Sequence, residues 1–179
     1  MNVTAPALEG TALEAWRSYL QSHAAIVREL DADLHHAHAM TTRDYEVLLY
    51  LAQAEERRMA MSVLSERTML TRSGITRLID GLVAEGLVER VSCPKDARIS
   101  YAQLTDSGHA KLVSAGVTHV AGIERLFLTH FSPEELDQLA QLLGRLPGAL
   151  PETGGCTAAA EACAVSGPAG ADGTCSVSE

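Results

Sequence analysis

The sequence predicts a mainly α-helical protein that also contains one short β-hairpin. Apolar residues recur every three or four positions over most of the stretch from residue 13 to residue 146, the period of amphipathic helices. Alternation of apolar and polar residues, typical of strands, is confined to residues 87–104. Ser or Thr residues precede four of the six predicted helices as capping residues. A chain of 179 residues, 46% of them hydrophobic, can form one domain with a sizeable core.

The first two predicted helices differ in length. In the first, apolar residues follow steps of three and four, with His23 filling one gap: Leu13, Trp16, Leu20, Val27, Leu30 and Leu34. So long a stripe suits a partner helix. Thr41 and Thr42 can cap the second helix, which is expected to end at the charged run Glu55–Arg58. Its apolar positions are Tyr45, Leu48, Leu49 and Ala52.

Two short helices are then predicted to meet across a tight turn. The first covers 60–68, with Val63 and Leu64 as its apolar positions, and Thr71 caps the second, which ends near Gly86. The second helix carries one apolar stripe: Ile75, Leu78, Ile79, Leu82 and Val83. Its opening turns are polar and basic: Arg72, Ser73, Thr76 and Arg77. A helix of this kind can read base edges in a major groove.

The hairpin follows directly, with Leu87–Val91 as its first strand and the chain breaker Pro94 at its tip. The second strand carries alternating apolar residues at Ile99, Tyr101 and Leu104. Lys95 and Arg98 lie at the tip, where an arginine can enter a narrow minor groove. A helix followed by a basic hairpin is a more specific indication of DNA binding than either feature alone.

Two further helices complete the chain. Thr105, Asp106 and Ser107 can cap a helix that is expected to run towards Ser132, with a stripe at Val113, Val117, Val120, Ile123, Phe127 and Phe131. Ser132 and Pro133 begin the last helix, with Leu136, Leu139, Leu143 and Leu146. The stripes of the terminal helices are too long for a small module to bury by itself, so we predict a homodimer.

The charge distribution favours a nucleic-acid partner, although the net charge of −9 argues against one. Between Arg57 and Arg98, eight basic side chains stand against five acidic ones, a net charge of +3, and the rest of the chain carries −12. A cationic segment in an acidic protein is typical of a face that binds a polyanion. A solvated, charged helix surface is the alternative interpretation.

Residues 71–108, TRSGITRLIDGLVAEGLVERVSCPKDARISYAQLTDSG, resemble the MarR family of winged helix-turn-helix regulators. The resemblance depends above all on Asp-x-Arg followed by Leu-Thr-x-x-Gly, at Asp96, Arg98, Leu104, Thr105 and Gly108. In helix order it extends over about residues 11–147. It implies a winged helix-turn-helix DNA-binding domain with N- and C-terminal dimerisation helices, and a homodimer on palindromic double-stranded DNA.

The resemblance also implies roles for individual residues. The recognition helix would place Arg72, Ser73, Thr76 and Arg77 at DNA. The wing would send Arg98 to the minor groove, while Asp96 orients basic side chains nearby, with Lys95 also at the tip. Many members have Arg where this chain has Ala97, so we expect one wing charge fewer and a slightly shallower salt dependence.

We expect three regions: a flexible N-terminus at 1–10, a winged-helix and dimerisation domain at 11–147 with the winged helix at about 42–105, and an acidic tail at 148–179. The tail is expected to be disordered, because no Lys or Arg occurs from Pro147 onward, where six Gly and three Pro lie. Neither a secretory signal nor a membrane-spanning stretch is evident, so we expect a cytoplasmic protein.

A small phenolic or carboxylate effector is implied by the resemblance, in a pocket between the DNA-binding lobe and the dimerisation helices. Trp16 and His23 share one stripe, and Arg17 can pair with a carboxylate. The alternative interpretation makes Trp16 a dimer-core residue, His23 a satisfied interfacial group and Arg17 a surface charge.

Cysteine and histidine residues offer weaker hypotheses. Cys93 lies near Arg90 and Lys95, whose charge favours a reactive thiolate, although a small strand residue is the simpler interpretation. The tail cysteines, Cys156, Cys163 and Cys175, lack the tight spacing of a structural zinc site. The histidines at 35, 36 and 38 are more typical of a solvated helix end than of a metal site.

No enzyme motif is evident, so we predict a transcriptional regulator, a repressor without catalytic activity or cofactor. The rival interpretation is a thiol or metal sensor that uses Cys93 or the tail cysteines, or a helical binding protein without operator function.

Overall fold

The computed structural model describes residues 7–92 and 99–147 of the chain, and within them the predicted mainly helical fold class is confirmed. These residues form six α-helices: α1 (Gly10–His38), α2 (Thr42–Gln53), α3 (Met61–Arg67), α4 (Arg72–Ala84), α5 (Asp106–Leu126) and α6 (Pro133–Leu143). They also form three strands: β1 (Arg58–Ala60), β2 (Val88–Ser92) and β3 (Ser100–Leu104). None of the helices in these ranges is long and apolar enough to span a membrane.

Four of the helices begin where the sequence predicts. In α2, α4, α5 and α6 the residue before the helix is Thr41, Thr71, Thr105 or Ser132, and its side-chain oxygen accepts a backbone N–H from three residues further on. Each cap satisfies an N–H group that the first helical turn leaves without an intrahelical partner. Local sequence therefore sets these helix starts.

The sheet contains one strand more than predicted. Its order is β1-β3-β2, antiparallel throughout, and the predicted hairpin of β2 and β3 is present, with Val88 opposite Leu104 and Ser92 opposite Ser100. The prediction of a single hairpin was incomplete, because β1 pairs with residues 101–103 of β3. Three residues are too short to show a strand period, and the partner of β1 is distant in sequence.

The predicted end of the helix that follows the hairpin was wrong. Helix α5 ends at Leu126, and a 3-10 turn, Leu128–His130, follows in place of a helix running towards Ser132. Val117 on the predicted stripe is 73% exposed, whereas the buried positions of α5 include Ala115 and Gly122. A Cβ atom on Gly122 would lie 2.7 Å from Leu30 Cδ2 of α1, so α5 packs against the Leu30 side chain at a position without a side chain of its own.

The core lies between the sheet and helices α2, α3 and α4, with one buried leucine from α1 and one from α5 closing it. Its fully buried members include Leu34, Leu48, Leu51, Leu64, Ile75, Ile79 and Val88. Val63 and Val83, predicted as apolar positions of the two short helices, are 38% and 37% exposed. The core holds α4 by one face and leaves the other in solvent.

Candidate nucleic-acid interface

Helix α4 presents the predicted polar and basic side chains to solvent. Its N-cap, Thr71, accepts the backbone N–H of Gly74 at 3.1 Å, and Ile75 and Ile79 anchor the opposite face in the core. The four predicted DNA-binding residues of this helix are all exposed: Arg72, Ser73, Thr76 and Arg77. Within the described ranges, neither arginine forms an ion pair with a carboxylate. Both charges are therefore available to an anionic partner.

The turn between α3 and α4 is fixed by hydrogen bonds that sequence reasoning missed. The buried Thr68 hydroxyl donates to the Leu64 carbonyl at 2.7 Å, and the Ser65 hydroxyl donates to the Leu70 carbonyl at 2.6 Å. Arg43 of α2 also donates to the Thr68 carbonyl, at 3.3 Å. The Leu64 carbonyl also accepts the backbone N–H of Thr68, whereas the bonds to the Thr68 and Leu70 carbonyls give partners to groups at and beyond the end of α3. They hold α4 at a defined angle to α3.

The Leu-Thr-x-x-Gly residues hold the base of the hairpin. The Thr105 hydroxyl lies 2.8 Å from the carbonyl oxygen of Gly86 and 3.0 Å from that of Leu87, and it also accepts the Gly108 N–H. A Cβ atom on Gly108 would lie 2.0 Å from the Leu87 carbonyl oxygen. The start of α5 thus packs directly on the turn between α4 and β2, which fixes where the hairpin leaves the core.

The strands of the hairpin are described, but its tip is not. Cys93, Lys95, Asp96 and Arg98 lie outside the described residues, as do the tail cysteines, so their predicted roles stay predictions. Arg90, on β2, lies beside α4 and donates to Asp80 at 2.7 Å. Sequence reasoning did not identify this link between the hairpin and α4.

A cavity of about 310 Å³ lies between α4, the start of α3 and the start of β3. Arg72 and three hydroxyl-bearing residues, Ser62, Thr76 and Ser100, provide its polar lining, and its apolar side chains include Met61, Ile75 and Ile99. A half-open cavity of mixed polar and apolar lining that includes an arginine residue is compatible with a small organic anion.

The residues predicted to bind an effector lie elsewhere, on α1. Trp16, Arg17 and His23 are all exposed. Tyr19, which sequence reasoning omitted, lies between two of the rings, with centroids 6.2 Å from Trp16 and 6.3 Å from His23. Arg17 is not part of this aromatic row, and none of the three predicted residues lines the cavity beside α4.

Two histidines lie where α1 and α2 meet α5. His38 Nε2 lies 2.8 Å from the Thr118 hydroxyl, and the His119 ring lies 4.6 Å from the Tyr45 ring. Burial lowers the pKa of His119, whose Nδ1 is buried without a hydrogen-bond partner. Within the described ranges, no group of three or more His, Cys, Asp or Glu residues could hold a metal ion, and this applies to the histidines at 35, 36 and 38.

Known proteins match part of this chain in sequence. A family model described as MarR family matches residues 39–99. The HTH-type transcriptional repressor YetL of Bacillus subtilis is 31% identical over 102 residues, which are 57% of this chain and 60% of that protein. The HTH-type transcriptional regulator YkoM of the same organism is 39% identical over 80 residues, 45% of this chain and 51% of YkoM. The chain thus spans less than two thirds of either relative.

Solved structures match over more of their length. AbsC, a MarR family transcriptional regulator from Streptomyces coelicolor, is 32% identical with a TM-score of 0.73, covering 78% of this chain and 93% of AbsC. Sco3205, from the same organism and solved in complex with DNA, is 28% identical with a TM-score of 0.75, covering 84% and 96%. These relatives are named as transcriptional regulators, which supports a role other than catalysis. By its fold, its sequence and the near-complete match to AbsC, the chain belongs to the MarR family of transcriptional regulators.

Proposed function

We propose that this protein is a sequence-specific transcriptional regulator that binds palindromic double-stranded DNA as a homodimer and represses transcription. The observation that carries the proposal is the exposed opening of α4, where Arg72, Ser73, Thr76 and Arg77 project away from a buried apolar face. Side chains in the first turns of a recognition helix contact base edges. The DNA complex of Sco3205 and the name of YetL as a repressor support the same function.

The test is selection of bound sequences from random duplex DNA with the purified protein at physiological salt. We expect an enriched palindrome with half-sites about 10 base pairs apart, because two-fold dimers place recognition helices in successive major grooves. Absence of any enriched sequence would contradict the proposal.

The recognition helix and the wing are proposed to divide the work of binding. Substitution of Thr76 or Arg77 is expected to change the selected sequence, because these residues lie on the exposed face of α4. Arg98→Ala is expected to weaken binding to all sequences and to reduce its salt dependence. A uniform loss from all three changes would contradict this division.

The homodimer is supported by large apolar side chains that the terminal helices leave in solvent. Trp16 of α1 is 51% exposed, Val120 of α5 49%, and Leu142 of α6 54%. Large apolar side chains exposed on three helices at once are compatible with a protein–protein interface. We expect light scattering to give a dimer mass and Val120→Asp to shift it towards the monomer. Gln53→Glu, on exposed α2 surface, is the matched control, and equal masses for all three proteins would contradict this interface.

We propose further that a small aromatic or carboxylate compound modulates DNA affinity. The cavity beside α4 supports this, because Arg72 lines it and is also a proposed DNA contact, so an occupant would compete with DNA. Calorimetry with benzoate-type acids tests the idea. Loss of heat in Arg72→Gln but not in Arg17→Gln would assign the effector to this cavity, and the reverse would assign it to the predicted site at Trp16, Arg17 and His23. No heat with the unaltered protein would contradict an effector of this class.

The alternative of a thiol or metal sensor depends on Cys93 and the tail cysteines, all outside the described residues. The relatives do not favour it, since their names describe transcriptional regulators.

A further inference from the structure

Arg90 occupies an unusual position at the edge of the contact between the sheet and α4. Side chains alternate between the two faces of a strand, so Arg90 shares a face with Val88 and lies opposite Ala102 on β3. Val88 and Ala102 are both buried in the core. Arg90 is the next residue on that face, beyond these core residues. Its guanidinium group contacts α4.

The contacts of Arg90 span one turn of α4. Its Nη2 donates to Asp80 Oδ1 at 2.7 Å and, at a longer 3.4 Å, to the backbone carbonyl of Thr76. Thr76 and Asp80 are four residues apart and therefore lie on one side of the helix. The Arg90 side chain is 34% exposed and that of Asp80 60% exposed. The hairpin is thus linked to α4 by a charged pair in addition to the apolar contact.

We propose that Arg90 and Asp80 form a clamp that positions the wing relative to α4 for DNA binding, with Arg90 as a positioning residue and not as a phosphate contact. The inference rests on the proposed function, since it assigns a role in DNA recognition. A protein that contacts the major groove with a helix and the backbone or minor groove with a wing must present both in one fixed geometry. Thr76, which the guanidinium group contacts, is itself a proposed base-reading residue.

The direction in which one substitution changes the affinity for DNA distinguishes a positioning role from simple electrostatics. Asp80→Asn removes a negative charge from the DNA-facing lobe, so electrostatics alone predicts tighter binding to a polyanion. The clamp predicts weaker binding, because Arg90 loses its partner and the wing loses its fixed angle. Glu89→Gln is the matched control. Glu89 is an exposed neighbour on the other face of β2, and its substitution removes the same charge without touching α4.

The experiment measures the Kd for the selected operator duplex by fluorescence anisotropy over a series of salt concentrations. For a partly exposed ion pair we expect Asp80→Asn and Arg90→Met each to weaken binding about three- to fivefold. The double variant should bind DNA no more weakly than the weaker-binding of the two single variants, because each single substitution already removes the same interaction. The salt dependence should stay that of the unaltered protein, and Glu89→Gln should bind equally or more tightly.

Two results would overturn the clamp. In one, Asp80→Asn binds as tightly as Glu89→Gln. In the other, Arg90→Met lowers the salt dependence by about one phosphate contact, which would make Arg90 a direct DNA ligand. Both side chains are partly exposed, and the methionine keeps much of the arginine stem, so the variants are expected to fold. Thermal melting followed by circular dichroism checks this.

The same measurements separate failure of the clamp from failure of the proposed function. If the unaltered protein binds no operator, both proposals fail. If it binds with normal salt dependence while Asp80→Asn behaves like Glu89→Gln, DNA binding stands and the clamp alone is wrong.

Discussion

Two regions of the molecule have the same amphipathic periodicity but differ in how far they bury it. One is the lobe formed by α2, α3, α4 and the sheet, and the other is the set of terminal helices α1, α5 and α6. In the lobe, the apolar positions of α2 and α4 are mostly buried and the polar faces are exposed. Of the 29 residues of α1, two are buried, Leu30 and Leu34, and α6 has no buried residue. Periodicity therefore predicts which face of a helix is apolar, but it does not say whether the chain itself covers that face.

The largest expected effect is loss of a core side chain from the lobe. Ile79→Ala removes a fully buried side chain of α4 and should lower the free energy of unfolding by about 2–5 kcal/mol, measured by urea denaturation. Val117→Ala, on the exposed stripe of α5, is the matched control. In a dilute sample it should lower the free energy of unfolding far less than Ile79→Ala does. Equal costs at every protein concentration would show that the two regions do not differ in this way.

A second effect tests the joint between α5 and the lobe. Gly108→Ala places a Cβ atom 2.0 Å from the Leu87 carbonyl oxygen, and the backbone shift it forces should cost about 1–3 kcal/mol. Gly81→Ala in exposed α4 is the control, because no atom lies within 4 Å of its Cβ position, and it should stabilise the protein by about 0.5–1 kcal/mol. If both changes stabilise the protein, the close approach at Gly108 is not a constraint.

The pH dependence of stability tests the burial of His119 between α5 and α2. Burial lowers its pKa in the folded state from the ordinary value of 6.5, so between the two values the unfolded chain binds more protons. The free energy of unfolding should therefore fall as pH falls through about 6.5 towards the lower folded pKa. Denaturation at several pH values should show a smaller fall in His119→Leu. A difference in the free energy of unfolding between the unaltered protein and His119→Leu that does not change with pH would contradict this prediction.

The smallest effect concerns the turn between α3 and α4. Met69 has a φ of 53° and is 87% exposed, so its side chain contributes little while its Cβ strains the left-handed backbone. Met69→Gly should raise the free energy of unfolding by about 0.5–1 kcal/mol, after the greater flexibility of glycine in the unfolded chain is allowed for. Met69→Ala keeps the Cβ and should leave stability unchanged. A gain from alanine equal to that from glycine would assign the effect to the side chain.

Features that depend on short-range chemistry could be predicted from the sequence. The caps at Thr41, Thr71, Thr105 and Ser132 act on N–H groups three residues away, and the hairpin of β2 and β3 has its two strands close in the chain. The exposure of the polar and basic residues at the start of α4, which are proposed to contact DNA, followed from the polar and apolar sides of a single helix. Each of these depends on residues that are near neighbours along the chain.

Features that join distant segments could not be predicted in the same way. Strand β1 is too short to show a period, and its partner β3 lies some 40 residues further along the chain. Arg43 and Thr68, Arg90 and Asp80, and His38 and Thr118 meet across different elements. Nothing in the sequence near one member of these pairs specifies the other.

The sequence by itself determined the mainly helical class, most helix starts, the polar face of α4 and the family motif, because each is encoded by spacings of a few residues. Tertiary structure decided that Val117 faces solvent while Gly122 packs on Leu30, that Gly108 lies against the Leu87 carbonyl, and that Arg90 reaches Asp80. The physical reason is close packing. Which of several apolar or charged side chains finds a partner depends on where a second element lies, and that position results from the whole core.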